Sequence, residues 1–186
     1  MVLERAAVAL ALNRLLESSR APMDQQAHRS TLTDIVEHRW TTPAAMHART
    51  AALGVPTEGR SLIVALVSDS SHDAESVVSE SVRSASLSAL VAALSPGRVG
   101  VLIAVLADPP DDGDAVAVVS TVAAILRRTH SSSVVAMADP VTSLDQVRTA
   151  VTGAGEVIDS LGAGRRWQPG DPVVFRPDDI RLRGVL

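Results

Sequence analysis

Cysteine, lysine and tyrosine are absent from this 186-residue chain, and one Phe and two Trp are its only aromatic residues. Each absence closes off a class of function. Without cysteine there is no disulfide framework, no thiolate nucleophile and no thiolate metal site, which fits a reducing cytoplasm. Without lysine, all 17 basic residues are arginine. That usage reads as a GC-rich coding bias rather than a design for phosphate binding. A formal net charge of −4 at pH 7 disfavours any sequence-independent grip on DNA or on an anionic membrane, since both need a concentrated positive face. No apolar run reaches the roughly 18 residues of a membrane span. The N-terminus, with Glu4 and Arg14 around its apolar stretch, lacks the basic n-region and cleavage site of a signal peptide. The chain is expected in the cytoplasm, with no membrane partner.

What is present is aliphatic. Hydrophobic residues make up 46% of the chain, so the core must be built from Val, Leu, Ile and Ala packed by volume. The length allows one sizeable core with a helical appendage. The expected division is an N-terminal helical linker or dimerisation segment over 1–56 and an α/β domain over 57–186.

Leu3–Ser19 is strongly helix-forming and apolar nearly all round in its first half, so it needs cover on more than one side. Leu3, Leu10, Leu12, Leu15 and Leu16 are the candidate dimerisation residues. A second helix is expected over Asp24–Arg39 with Asp24 as N-cap. A third starts at Thr42-Pro43 and stops at Gly54. Read as a helix-turn-helix, this pair offers only His47 and Arg49 as long polar readers, which argues against base recognition.

Ser61–Ser68 is a strand apolar on both faces. A helix follows to about Ala85, with Val77, Val78, Val82 and Ala85 on its inner side and Glu75, Glu80 and Arg83 on its outer side. Ser86–Ala107 holds two apolar runs around Ser95-Pro96-Gly97-Arg98, a hairpin whose Gly97 suits the positive φ of a type II turn. Because tight hairpins prefer mirror-image turns, the ladder is expected to open a residue or two before Pro96. Ala115–Arg128 reads as a helix and Ser133–Ala138 as a strand. Ser143–Gln146 has the form of a capping box opening a helix that ends at Gly162 and Gly164. Within that helix the Gly153–Gly155 pair suggests close packing. Pro172–Phe175 reads as a last strand.

The resulting order, β-α-β-β-α-β and then α and β, is a split βαβ, ferredoxin-like α+β sheet preceded by an N-terminal helical segment. It has the layout of a nucleotide-cyclase palm. Strands apolar on both faces require cover on the second face from the third sheet helix, the N-terminal helices or a partner chain.

A palm of this kind holds metal with one carboxylate at the end of its first strand and another at the hairpin tip. Asp69 supplies the first, and Pro96-Gly97-Arg98 supplies no second. No two-metal phosphoryl transfer follows from one carboxylate. Asp108, Asp111, Asp112 and Asp114 read as a solvated loop with a helix cap, since their spacing is not that of an EF-hand. His28, His38, His47, His72 and His130 fall on separate elements without metal-ligand spacing. No nucleophile elbow, P-loop or dinucleotide fingerprint is present. No catalytic residue, metal site or cofactor is assigned, and the chain is expected not to be an enzyme.

Three stretches carry a family resemblance. They are Val8–Leu16 with His28-Arg29 and the helix pair to Ala51–Pro56, then Ala138–Leu144, then Phe175–Leu186. Together they resemble PucR-type (purine-catabolism-regulator, CdaR-like) bacterial transcription regulators over their central GGDEF-like region. The resemblance implies a degenerate, non-catalytic GGDEF-like domain that dimerises and relays a signal. It also implies DNA contact only through a C-terminal helix-turn-helix that this chain does not contain, so the chain looks like the middle of a regulator. The alternative it leaves open is a small-ligand sensor, for a nucleotide or catabolite, with a degenerate pocket near Asp69 and Arg98.

Overall fold

The computed structural model describes residues 23, 25–106, 112–162 and 164–181. The Leu3–Leu16 stripe, the Asp24 cap and Asp108 and Asp111 therefore lie outside the described residues. Helix α1 covers 25–36 and α2 Pro43–Ala52, followed by β1 Ser61–Ser68, α3 Ala74–Ser84, β2 Ala89–Ser95 and β3 Arg98–Val105. Then come α4 Asp112–Thr129, β4 Val134–Met137, α5 Leu144–Ser160 and α6 Pro177–Arg181. Helix α1 stops short of the expected Arg39 because His38 turns left-handed, at φ 60°, and its amide donates back to Ile35 O. Helix α2 starts as its sequence demands: the Thr42 hydroxyl accepts from the Ala45 amide at 3.3 Å, and Pro43 takes the first turn.

The four strands form one sheet in the order β2-β3-β1-β4, antiparallel throughout, the ferredoxin-like α+β arrangement. Side chains alternate between two cores. Leu62, Val64 and Leu66 of β1 face one core, with Leu32 and Ile35 of α1, Met46 of α2 and the buried stripe of α5. Ile63, Ala65 and Val67 face the other, with Val78 and Val82 of α3 and Val119 and Leu126 of α4. Helices of the same chain thus cover both faces, and the sheet needs no partner chain for that purpose. Leu62 to Val67 are each at most 3% exposed, worth about 1.5–3 kcal/mol for each larger side chain.

Four expectations need correction. The hairpin does not open early: Ser95 pairs with Arg98, leaving Pro96 and Gly97 as a two-residue loop with Gly97 at φ 74°. The ladder shifts between Ala93 and Ser95, so Leu94 is an extra residue. Such a bulge adds local twist and lets a turn that is not a mirror-image type close the strands. Pro172–Phe175 makes a single parallel bridge, Phe175 to Ala136, rather than a strand. Pro172 has no amide to donate and Pro177 opens α6, so pairing cannot spread. The capping box is displaced: Ser143 has the extended N-cap backbone but makes no side-chain cap, and Gln146 Oε1 accepts from the Thr142 amide at 3.2 Å. Close packing does not dictate Gly153 or Gly155. A Cβ on Gly153 would meet nothing within 4 Å, and one on Gly155 would make ordinary contact with Arg98 Nη1 at 3.6 Å.

Candidate functional site

Asp69 is the first residue past β1, and the ladder to β3 extends to it. Its amide donates to Gly97 O at 3.0 Å, continuing the β1–β3 register onto the hairpin tip. On the other side the β1–β4 register pairs Ser68 with Val134, which sets Ser133 opposite Asp69. The side chain continues the alternation of Val67 and so leaves the sheet on the α3/α4 face.

There it is enclosed. Asp69 Oδ1 accepts from the Ser71 amide at 2.8 Å, and Oδ2 accepts from the Ser133 hydroxyl and from His130 Nδ1 at 2.8 Å. His130 sits just past α4, its amide donating to Leu126 O, and its Nδ1 is also 3.1 Å from Ser71 Oγ. The far ring nitrogen, Nε2, is 3.7 Å from Asp73 Oδ1. The side chains of Asp69 and His130 are 10% and 13% exposed. Burial by itself would raise the Asp69 carboxyl. The hydroxyls of Ser133 and Ser71, the Ser71 amide and the His130 ring outweigh it and lower the carboxyl from 3.8 to about 2. An ionised carboxylate offers roughly four lone-pair sites, and the Ser71 amide, the Ser133 hydroxyl and His130 Nδ1 occupy three of them here. His130 does not form a nucleophilic triad with Ser71 and Asp69, because both meet the same ring nitrogen.

A groove of about 450 Å³ lies beside this cluster, bordered by Asp69, Ser71, Glu75, Arg29 and the hairpin tip. The sequence of the chain matches the GGDEF-like domain over residues 37–160. The chain belongs to the GGDEF-like domain family. A comparison with curated proteins finds no match.

Within this GGDEF-like domain the two candidate ligand residues diverge. Arg98 continues the alternation of Gly100, Leu102 and Ala104 and leaves the sheet on the opposite face from Asp69. Its guanidinium pairs with Asp159 of α5, beside a second groove of about 270 Å³ that includes Leu66, Leu94 and Gly155. Arg98 also touches the rim of the Asp69 groove, but its charged end is committed elsewhere. No group of three or more His, Asp or Glu suited to a metal ion occurs among the described residues, and no described helix is long and apolar enough to cross a membrane.

Sequence reasoning missed His130 and Ser133. The signal for Ser133 was the register: once β1 and β4 pair antiparallel, the residue before β4 faces the residue after β1. His130 carried no such signal, since its position depends on where α4 ends against the sheet. Glu75, expected on the outer side of α3, is 8% exposed and pairs with Arg29 of α1. That pairing raises the Arg29 guanidinium further, through the hydrogen bond first and the opposite charge second.

Proposed function

We propose that this GGDEF-like domain is the non-catalytic dimerisation and signal-relay domain of a PucR-type transcription regulator. The enclosure of Asp69 carries the reading. A carboxylate that already accepts from a backbone amide, a serine hydroxyl and an imidazole is largely spent as a ligand for a cation. The hairpin tip, Ser95 to Arg98, brings no second carboxylate. In this reading the position that serves phosphoryl transfer in a cyclase palm serves stability, and the chain is not an enzyme. Relay is supported by the packing of α1 and α2 into the same core as the sheet, which gives an upstream displacement a rigid path inward. Dimerisation is supported by the apolar pattern of Leu3, Leu10, Leu12, Leu15 and Leu16.

Light scattering on the chain at high micromolar concentration tests self-association: a dimer is expected, and a monomer overturns it. Incubation with nucleoside triphosphates and Mg²⁺ or Mn²⁺ tests the chemistry, and a cyclic nucleotide product overturns the non-catalytic reading. A second reading, a small-ligand sensor, is favoured by the groove of about 450 Å³ beside Asp69. A thermal-shift screen over nucleotides and purine catabolites separates the two, since a specific ligand raises the melting temperature by mass action.

A further inference from the structure

Helices α1 and α3 pack on opposite faces of the sheet, so no shared core joins them. One ion pair does. Arg29 of α1 reaches past the end of edge strand β2, where Ala93, Leu94 and Ser95 border the same groove, to Glu75 in the first turn of α3. Glu75 is 8% exposed, and its Oε1 is buried with no hydrogen-bond partner. Arg29 is thus its single ionic partner among the described residues, while the Arg29 side chain itself is 46% exposed. The two ends of the pair are unequal. Arg29 can leave for water at small cost, whereas Glu75 left behind is an uncompensated buried carboxylate, which is strongly unfavourable.

We propose that Arg29 and Glu75 form a latch through which the position of α1 sets the conformation of the loop between β1 and α3. For its biological use the latch rests on the relay reading; its chemistry stands on the pair alone. When α1 moves away, Glu75 must turn outward to water, and the first turn of α3 frays with it. Glu75 lies two residues after Asp73 and four after Ser71, whose amide holds Asp69 Oδ1. The fraying therefore reaches the Asp69 cluster first and β1 last. The seat that Arg29 vacates is matched to a planar N–H donor cation, a guanidinium or amidinium group.

Hydrogen exchange on the full chain tests this, with Arg29→Ala, Glu75→Gln and the double variant. In Arg29→Ala, peptides covering 69–78 should exchange at least tenfold faster than wild type, while those covering β1 and α5 change less than twofold. The double variant should return the loop to within threefold of wild type, because a glutamine left alone carries no charge to expel. Methylguanidinium at low millimolar concentration, against a sodium chloride control, should slow the loop in Arg29→Ala and leave the double variant unmoved. An unchanged loop, a uniform acceleration that includes β1 and α5, or equal acceleration in the double variant overturns the latch. If Arg29→Ala fails to fold, the double variant must restore folding; a double variant that also fails shows that Arg29 is needed for packing alone, and the latch is overturned. Light scattering on the same samples keeps the two readings apart, since a monomeric wild type counts against the relay reading and leaves the exchange pattern to decide the latch.

Discussion

Asp69→Asn is the substitution that tests the Asp69 cluster most directly. The carboxyl sits at about 2 in the folded chain against an ordinary 3.8. A group lowered by folding stabilises the native state above its unfolded value, and that contribution is lost as pH falls through the folded value. At about 1.4 kcal/mol per tenfold change in proton affinity, the difference amounts to roughly 2.5 kcal/mol at neutral pH. Solvent at the rim of the cluster, where the Asp73 side chain is 66% exposed, screens part of this and leaves about 1–2 kcal/mol. Asparagine also replaces one acceptor oxygen by an NH2 donor, so the Ser133 hydroxyl and His130 must give up donating there or leave a buried donor unpaired. Urea unfolding of wild type and Asp69→Asn from pH 7 to pH 2 should show the variant less stable by about 2–3 kcal/mol at pH 7. The gap should begin to close below about pH 5, as the wild-type carboxyl begins to protonate in the unfolded state, and should narrow by about 1–2 kcal/mol on approaching pH 2. A gap that stays constant across this range, or one already absent at pH 7, would refute the assignment of Asp69 as an ionised acceptor.

Three other substitutions probe the same framework. Ser133→Ala, at a position 1% exposed, removes one donor and should move the Asp69 carboxyl up toward 3.8 in an NMR titration, with a loss of about 1.5–3 kcal/mol. Gly100→Ala would place a Cβ 2.6 Å from Leu94 Cδ1 and 3.0 Å from its Cγ, so chemical denaturation should show a loss of about 1–3 kcal/mol. The loss should fall by at least about 1 kcal/mol in a Leu94→Ala background. Gly153→Ala enters open space inside α5 and should raise stability by about 0.5–1 kcal/mol, which a shift of the denaturation midpoint without a change of slope would establish.

The strands were legible because their chemistry is local. Ser61–Ser68 matches β1 residue for residue, since a six-residue apolar run, Leu62 to Val67, between two serines can be buried on both faces only in the middle of a sheet. Helix α2 was legible from Thr42, Pro43 and Gly54 for the same reason. The misjudged parts depend on a tertiary partner. The bulged Leu94 lays its side chain against Gly100, the ladder partner of Ala92, where the missing Cβ leaves room for it. Glu75 turns inward because Arg29, 46 residues earlier, is there to meet it, and periodicity alone assigns a glutamate outward. Asp69 was picked out as the strand-end carboxylate, but its surroundings were not legible, since His130 and Ser133 reach it only after the β1–β4 pairing is made.

The enclosure of Asp69 also bears on what a strand-end carboxylate can do when protein donors, rather than a cation, surround it. A carboxylate kept for a cation must hold lone pairs open in the empty protein, an arrangement that costs stability. Filling those sites with the Ser71 amide, Ser133 and His130 reverses the sign of the contribution, because each charge-assisted bond now favours the folded state. The same bonds join the ends of β1 and α4, the start of β4 and the loop into α3 at one point, next to the hairpin tip that Asp69 holds through Gly97. On the non-catalytic reading the enclosed site acts as a joint, and a joint can transmit a displacement that an open site would absorb. On the relay reading, the acid sensitivity of Asp69 and the loop exchange controlled by Arg29 and Glu75 should therefore respond together. Protecting the loop by the Glu75→Gln change in an Arg29→Ala background should also restore the low carboxyl value of Asp69, and an NMR titration in which that value stays raised while the loop is protected would separate the two.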